Sequence, residues 1–192
     1  MWYRRDQRHR TDDAAVIKYG PDGSVMMKQW FVNGMRQRTD GPAIIRYHAN
    51  GNVAQEIWYM DNQKHRSGKA ALTDYREDGM KLEEWYYTHG LMNRDDGPAL
   101  IRYRSNDGSK LYEAWYKDDQ KHRVDGPAER DYYRDGTTVE TEAWFHHGLL
   151  DRTDGPARTH YRSNGSVALE EYFLDNQLLG FDMWELRTRQ SK

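Results

Sequence analysis

Arginine recurs at positions 10, 38, 66, 94, 123 and 152, in steps of 28 or 29 residues. Most of these arginines open one segment, Arg-x-Asp-Gly-Pro-Ala, seen in full as Arg38-Thr39-Asp40-Gly41-Pro42-Ala43 and again from Arg94, Arg123 and Arg152. Weaker copies are Arg10-Thr11-Asp12-Asp13-Ala14-Ala15 and Arg66-Ser67-Gly68-Lys69-Ala70-Ala71. A guanidinium is a planar fork of donors suited to carboxylate or phosphate, so a stacked row of them could form an anion-binding stripe. The reading preferred is an internal ladder, in which each arginine pairs with the aspartate of its own segment or with the row Glu56, Glu84, Glu113, Glu142 and Glu170. Exposed pairs of that kind set register more than stability.

The histidines are the other candidate ligands. His9, His65 and His122 share one repeat position, where Gln37, Asn93 and Asp151 stand in other copies. That exchange suits a polar ladder, and no metal site is expected. His146 and His147 are neighbours at a strand end, and strand alternation turns them to opposite faces. No Gly-rich phosphate loop, His-Glu-x-x-His or Gly-x-Ser-x-Gly motif occurs. The carboxylates recur with the repeat instead of gathering at one place, so the expectation is a chain that is not an enzyme and has no cofactor.

The elements that hold these residues follow from the repeat itself. Aligning the copies on Trp2, Trp30, Trp58, Tyr86, Trp115, Trp144 and Tyr172 keeps every other feature in register. A second aromatic follows each anchor. Turn formers come next, as Arg5-Asp6, Asn33-Gly34, Asp61-Asn62, His89-Gly90, Asp118-Asp119, His147-Gly148 and Asp175-Asn176. Most tolerate positive φ, as a two-residue hairpin loop requires. A second turn closes at Gly23, Gly51, Gly79, Gly108, Gly136 and Gly165. Between these points no helix of about a dozen residues fits. Each repeat therefore reads as two strands, a longer one such as Asn52 to Met60 and a shorter one such as Ala43 to Tyr47. In the shorter strand, Ala43, Ile45 and Tyr47 are expected on the core face, with Arg46 opposite. Proline lacks an N–H, so Gly41-Pro42 is expected at a kink or bulge where the strand enters the sheet.

The fold class expected is an all-β, elongated and twisted antiparallel meander of tandem β-hairpin repeats. About six repeats fill residues 1–177, and 178–192 form a C-terminal cap and tail. In that tail Asp182 can start a short helix laying Phe181, Trp184 or Leu186 over the last strands; the basic end from Arg187 to Lys192 is expected to fray. With 31% charged and 36% hydrophobic residues, little remains for a thick core. A net charge of -2 argues against a dedicated nucleic-acid or anionic-membrane binder. There is no cysteine, hence no disulfide framework. No apolar run approaches a membrane span and no signal peptide is evident, so the default compartment is cytoplasmic.

The segments Trp30-Phe31-Val32-Asn33-Gly34 and Tyr47-His48-Ala49-Asn50-Gly51, with their equivalents Trp144 to Gly148 and Tyr161 to Gly165, resemble the MORN repeat (membrane occupation and recognition nexus). This chain departs from that pattern in its longer unit and its Arg-x-Asp-Gly-Pro-Ala insert. The resemblance implies a β-hairpin array used as an interaction surface or scaffold, sometimes towards membranes and in some bacterial relatives as an antitoxin-type partner. The expected function is therefore binding of another protein, as an inhibitor or counter-defence partner. The alternatives are a peripheral scaffold on anionic lipid and a structural homo-oligomer joined through the N-terminal edge strand. The short strands become polar along the chain, from Ala43-Ile44-Ile45 to Ala128-Glu129-Arg130 and Ala157-Arg158-Thr159. Partner contact is accordingly expected around Trp115, Tyr116, Arg123, Arg130, Trp144, Phe145 and Arg158.

Overall fold

The structure, a computed structural model, describes residues 1–4, 6–10 and 12–190, with side chains to Thr188. Arg5 of the first turn, Thr11 of the first insert, and Ser191 and Lys192 of the basic end lie outside the described residues. The protein is built from successive antiparallel β-hairpins and ends in a short helix. Contacts divide it into two compact units, Met1–Met92 with Ser105–Gly108, and Asn93–Arg104 with Ser109–Lys192.

In the first unit the strands Val16–Tyr19, Val25–Gln29, Ile44–Tyr47, Val53–Ile57, Leu72–Tyr75 and Lys81–Trp85 pair each with the next. In the second, the same meander runs through Leu100–Tyr103, Lys110–Ala114, Glu129–Tyr132, Val139–Ala143, Arg158–Tyr161, Val167–Leu174 and Gln177–Leu179. The turns follow the residue types. Both loop residues take positive φ at Asn33-Gly34, Asp61-Asn62, His89-Gly90, Asp118-Asp119, His147-Gly148 and Asp175-Asn176, as the twist of a two-residue hairpin demands.

The longer strand is not continuous, contrary to the reading of Asn52 to Met60 as one element. It stops at Trp58, whose N–H is taken by Ala71 O at 2.7 Å, and a separate two-residue hairpin follows, Tyr59–Met60 against Gln63–Lys64. The repeats before the last thus hold a long hairpin and a short one, whereas in the last Val167–Leu174 runs unbroken and pairs with both its neighbours. The short hairpins are stitched to one another: Gly34 N donates to Arg8 O at 2.9 Å, Gly90 N to Lys64 O at 2.9 Å and Gly148 N to Lys121 O at 2.9 Å.

This second row adds a second buried face. On the expected face Ala43, Thr73, Glu113, Tyr132 and Thr159 are buried, with Ile45 and Tyr47 half buried, and on the opposite face Val16, Ile44 and Leu100 are 3–4% exposed. The reason is that short-hairpin aromatics fold back over that face: Phe31 packs with Ala15 and Val16, and Tyr59 packs against Met27, Ile44 and Ile57. In the second unit, Phe145 and Phe173 cover Ala143, Leu150 and Ala157. The register irregularities also fall away from Gly-Pro, just before Tyr19, Tyr47, Tyr75, Tyr103, Tyr132 and Tyr161. There the strand runs into the loop with a left-handed glycine, which adds the odd residue on one side.

The helix Phe181–Gln190 follows Gly180. Trp184 and Thr188 are its buried residues; the Trp184 ring lies 4.9 Å from Tyr172 and its indole N–H donates to Arg152 O at 2.9 Å. Phe181 touches Tyr172 but stays 52% exposed, and Leu186 is 56% exposed and takes no part in the covering expected of it. Among the described residues, no helix is long and apolar enough to cross a membrane.

Candidate functional site

Each insert is a folded clamp. The guanidinium of Arg38 lies 4.1 Å above the Trp30 ring, Arg66 3.8 Å above Trp58, Arg123 4.1 Å above Trp115 and Arg152 3.9 Å above Trp144. Below the stack, Nε of Arg38, Arg94 and Arg152 donates to the aspartate two residues on, at 2.7–2.8 Å. A second arm reaches back to the main chain, from Arg94 to Pro98 O, Arg123 to Pro127 O and Arg152 to Pro156 O. The Arg38 and Arg94 hydrogen bonds, with their charge, hold Asp40 and Asp96 below the usual carboxylate range.

The glycine of the insert has a role that turn statistics do not suggest. It is not left-handed in these copies; a Cβ on Gly41, Gly97, Gly126 or Gly155 would stand 2.8–3.0 Å from the guanidinium carbon of its arginine. At Gly41, Gly126 and Gly155 the missing side chain is the space in which the arginine folds down onto the indole. Where Lys69 replaces this glycine, the loop passes through left-handed backbone at Gly68, φ 65°. The internal ladder is thus the arrangement the arginines adopt, mainly with the carboxylate of their own loop.

Between two successive inserts of the second unit lies an open groove of about 580 Å³, lined by residues 93–98 on one side, 122–125 on the other, and Trp115, Tyr116 and Lys117. A smaller one, about 310 Å³, lies between the inserts of Arg10 and Arg38 in the first unit, with Trp30 and Val32 in its lining.

The seven residues expected to meet a partner do not form one patch. Trp115, Tyr116 and Arg123 line the larger groove. Arg130 is near them, 5.7 Å from the Trp115 ring, but is engaged with Glu113 at 3.6 Å and Glu142 at 3.8 Å. Burial, then the Arg130 charge, lowers the Arg123 pKa. Trp144 sits under Arg152, and its indole N–H is buried without a hydrogen-bond partner. Phe145 and Arg158 belong to another environment: Lys121 stands 4.9 Å from the Phe145 ring, and Arg158 pairs with Glu171 at 3.5 Å and lies 5.7 Å from the Phe173 ring.

The Glu row is structural. Glu113 is 4% exposed, accepts from Lys110 Nζ at 2.7 Å and from the Tyr132 hydroxyl, and so is a buried carboxylate with its charge answered. Tyr161 repeats the motif on Glu142 at 2.7 Å, and burial with that hydrogen bond pushes its phenol up to about 12.

The histidine ladder is realised in detail. Nδ1 of His9, His65 and His122 accepts the turn N–H of Asn33, His89 and His147, each at 3.2 Å, and Asp151 accepts that of Asp175 at 3.1 Å. His146 and His147, however, do not diverge as alternation predicts. Their rings are 4.4 Å apart and both lie beside His122, at 5.2 and 4.6 Å. The strand ends at His146 and His147 already has φ 47°, so alternation has stopped between them. No family model matches the chain, and no curated protein matches it at the significance required.

Proposed function

We propose that this chain is a non-catalytic, MORN-like module that binds another protein, with the groove between the Arg94 and Arg123 inserts as its receiving surface. One observation carries the reading. The groove sets Trp115 and Tyr116 between two loops, one held by the Arg94–Asp96 pair and the other by Arg123 donating to Pro127 O, giving a recess with aromatic anchors and polar walls. An inhibitory or antitoxin-like role is the form of binding that the MORN resemblance supports. An anionic-lipid scaffold is less favoured, because the arginines it would use are already stacked on indoles and paired with their own aspartates. A homo-oligomer has one point in its favour, the exposure of Met1, Trp2 and Tyr3 at 75%, 58% and 56%.

The test is affinity capture from the source cell with the wild-type chain and with Tyr116→Ala/Lys117→Glu, both checked for folding by circular dichroism. A protein captured in stoichiometric amount by the wild type and lost with the variant is expected. Capture unaffected by the variant defeats the groove assignment. Sedimentation with anionic vesicles, or self-association in the ultracentrifuge, would replace the reading by one of the alternatives.

A further inference from the structure

The ladder bond accounts for one histidine per repeat, and His122 meets that demand just as His9 and His65 do. It does not account for the other two. His147 holds a turn position filled elsewhere by Asn33, Asp61, His89, Asp118 and Asp175, and backbone of that shape has no need of an imidazole. His146 holds the strand position of Val32, Met60, Thr88 and Lys117. At one place among the described residues, two successive repeats therefore bring three imidazoles together, offering ring nitrogens that all lie within 4.8 Å of one another.

We propose that His122, His146 and His147 form a binding site for a divalent transition ion of borderline softness, Zn²⁺ in the first instance. Imidazole suits such ions, and three protein nitrogens leave a fourth tetrahedral position to water. A Zn–N bond of about 2.0–2.1 Å requires ligand atoms about 3.3 Å apart, so the site must close from its present spread. His146 and His147 are exposed side chains at a hairpin tip, free to make that adjustment by rotation. The N–H of His147 reaching His122 Nδ1 at 3.2 Å shows that this nitrogen carries its lone pair. When the ion takes the pair, the exposed turn N–H passes to water. Burial and the neighbouring His147, His146 and Lys117 lower the His122 pKa, which keeps the ring neutral and able to ligate. The Lys117 charge opposes the ion and sets this site below a fully enclosed one in affinity.

The molecule contains its own control. His65 and His89 repeat the ladder bond at 3.2 Å and the ring contact at 4.6 Å, but the third position is Thr88. The experiment uses the full chain without a histidine tag, stripped of metal by a chelator and dialysed. Zn²⁺ is titrated by calorimetry, and Co²⁺ is used as a visible-absorbing probe. Saturable uptake of one ion per chain is expected, with no competition from millimolar-range Mg²⁺ or Ca²⁺. His146→Ala and His147→Asn should each weaken binding by at least about tenfold, since even loss of a group supporting a ligand costs about that much. His147→Asn restores the residue found at Asn33, so the turn is kept, and an unchanged melting curve without metal confirms it. His89→Ala should leave the affinity unchanged. The proposal is overturned by absence of saturable uptake, by affinity indifferent to both His146→Ala and His147→Asn, or by equal losses from His89→Ala and His146→Ala, which would mean scattered surface imidazoles.

Discussion

The strands Ile44–Tyr47 and Glu129–Tyr132 hold the same place in their repeats and fill it in opposite ways. Ile44 is 4% exposed and packs with Met27 and Ile57. Glu129 stands at the equivalent position, and there the Lys121 ammonium and the Tyr112 hydroxyl, at 3.2 Å, both engage its carboxylate. The neighbours have changed with it: Tyr112 replaces Met27, and Lys121 stands where Met92 and Leu150 are buried in other repeats. What this position requires is a filled and neutralised space under the short hairpin, and an apolar side chain is only one means of supplying it. Polarity along the later strands is therefore no direct measure of surface offered to a partner, since Glu129, Arg130 and Arg158 all have partners within the chain.

The largest expected effect breaks the apolar side of this comparison. Ile44→Ala removes a nearly fully buried side chain from a thin core that has little freedom to collapse, and should cost about 2–5 kcal/mol in denaturant unfolding. A loss below about 1 kcal/mol would show that the short hairpin does not seal this face. Next comes the charged side. Lys121→Ala leaves the Glu129 carboxylate largely buried with only the Tyr112 hydroxyl, at a cost of about 1–3 kcal/mol. The double change Lys121→Leu/Glu129→Leu should return stability to the wild-type level or above it, because a buried pair is often no better than apolar residues of similar size. A double variant as unstable as Lys121→Ala would mean that the ion pair is required in its own right.

Much of the fold was legible because it is written in turn chemistry. Asn33-Gly34, Asp61-Asn62 and the loop glycines have few backbone conformations open to them in a hairpin, and the repeat multiplied that signal. The break at Trp58 was not legible. The pattern Glu56-Trp58 continues the alternation through the break, and only the capture of its N–H by Ala71 O ends the strand. The second buried face was missed for the same reason, since nothing local says that Tyr59 folds back over Ile44. The insert motif carried its arginine and aspartate openly, but the purpose of Gly41 is a three-dimensional clearance under Arg38 and has no signature in sequence. His146 and His147 were misplaced because strand alternation was extended one residue into a turn.

The smallest expected effect concerns the ladder that both kinds of repeat share. His65 and His122 each accept a turn N–H through Nδ1, and protonation would turn that acceptor into a donor facing a donor. Burial is the first cause of their lowered pKa values, with repulsion from His89 at one and from His147 and His146 at the other. A histidine whose folded pKa lies below its unfolded value of about 6.5 binds its proton more readily in the unfolded chain. Stability then rises with pH across the interval between the two values, is complete above the unfolded one, and is lost as pH falls towards and through the folded one. Gln37 occupies the same ladder position without a titrating group. The double variant His65→Gln/His122→Gln, with chelator present throughout, should therefore flatten the pH dependence of the unfolding midpoint on the acid side of neutrality while changing the midpoint itself little at pH 8. A slope as steep in the double variant as in the wild type would mean that acid sensitivity arises elsewhere, and that the ladder bonds in the two compact units do not depend on the charge of their imidazoles.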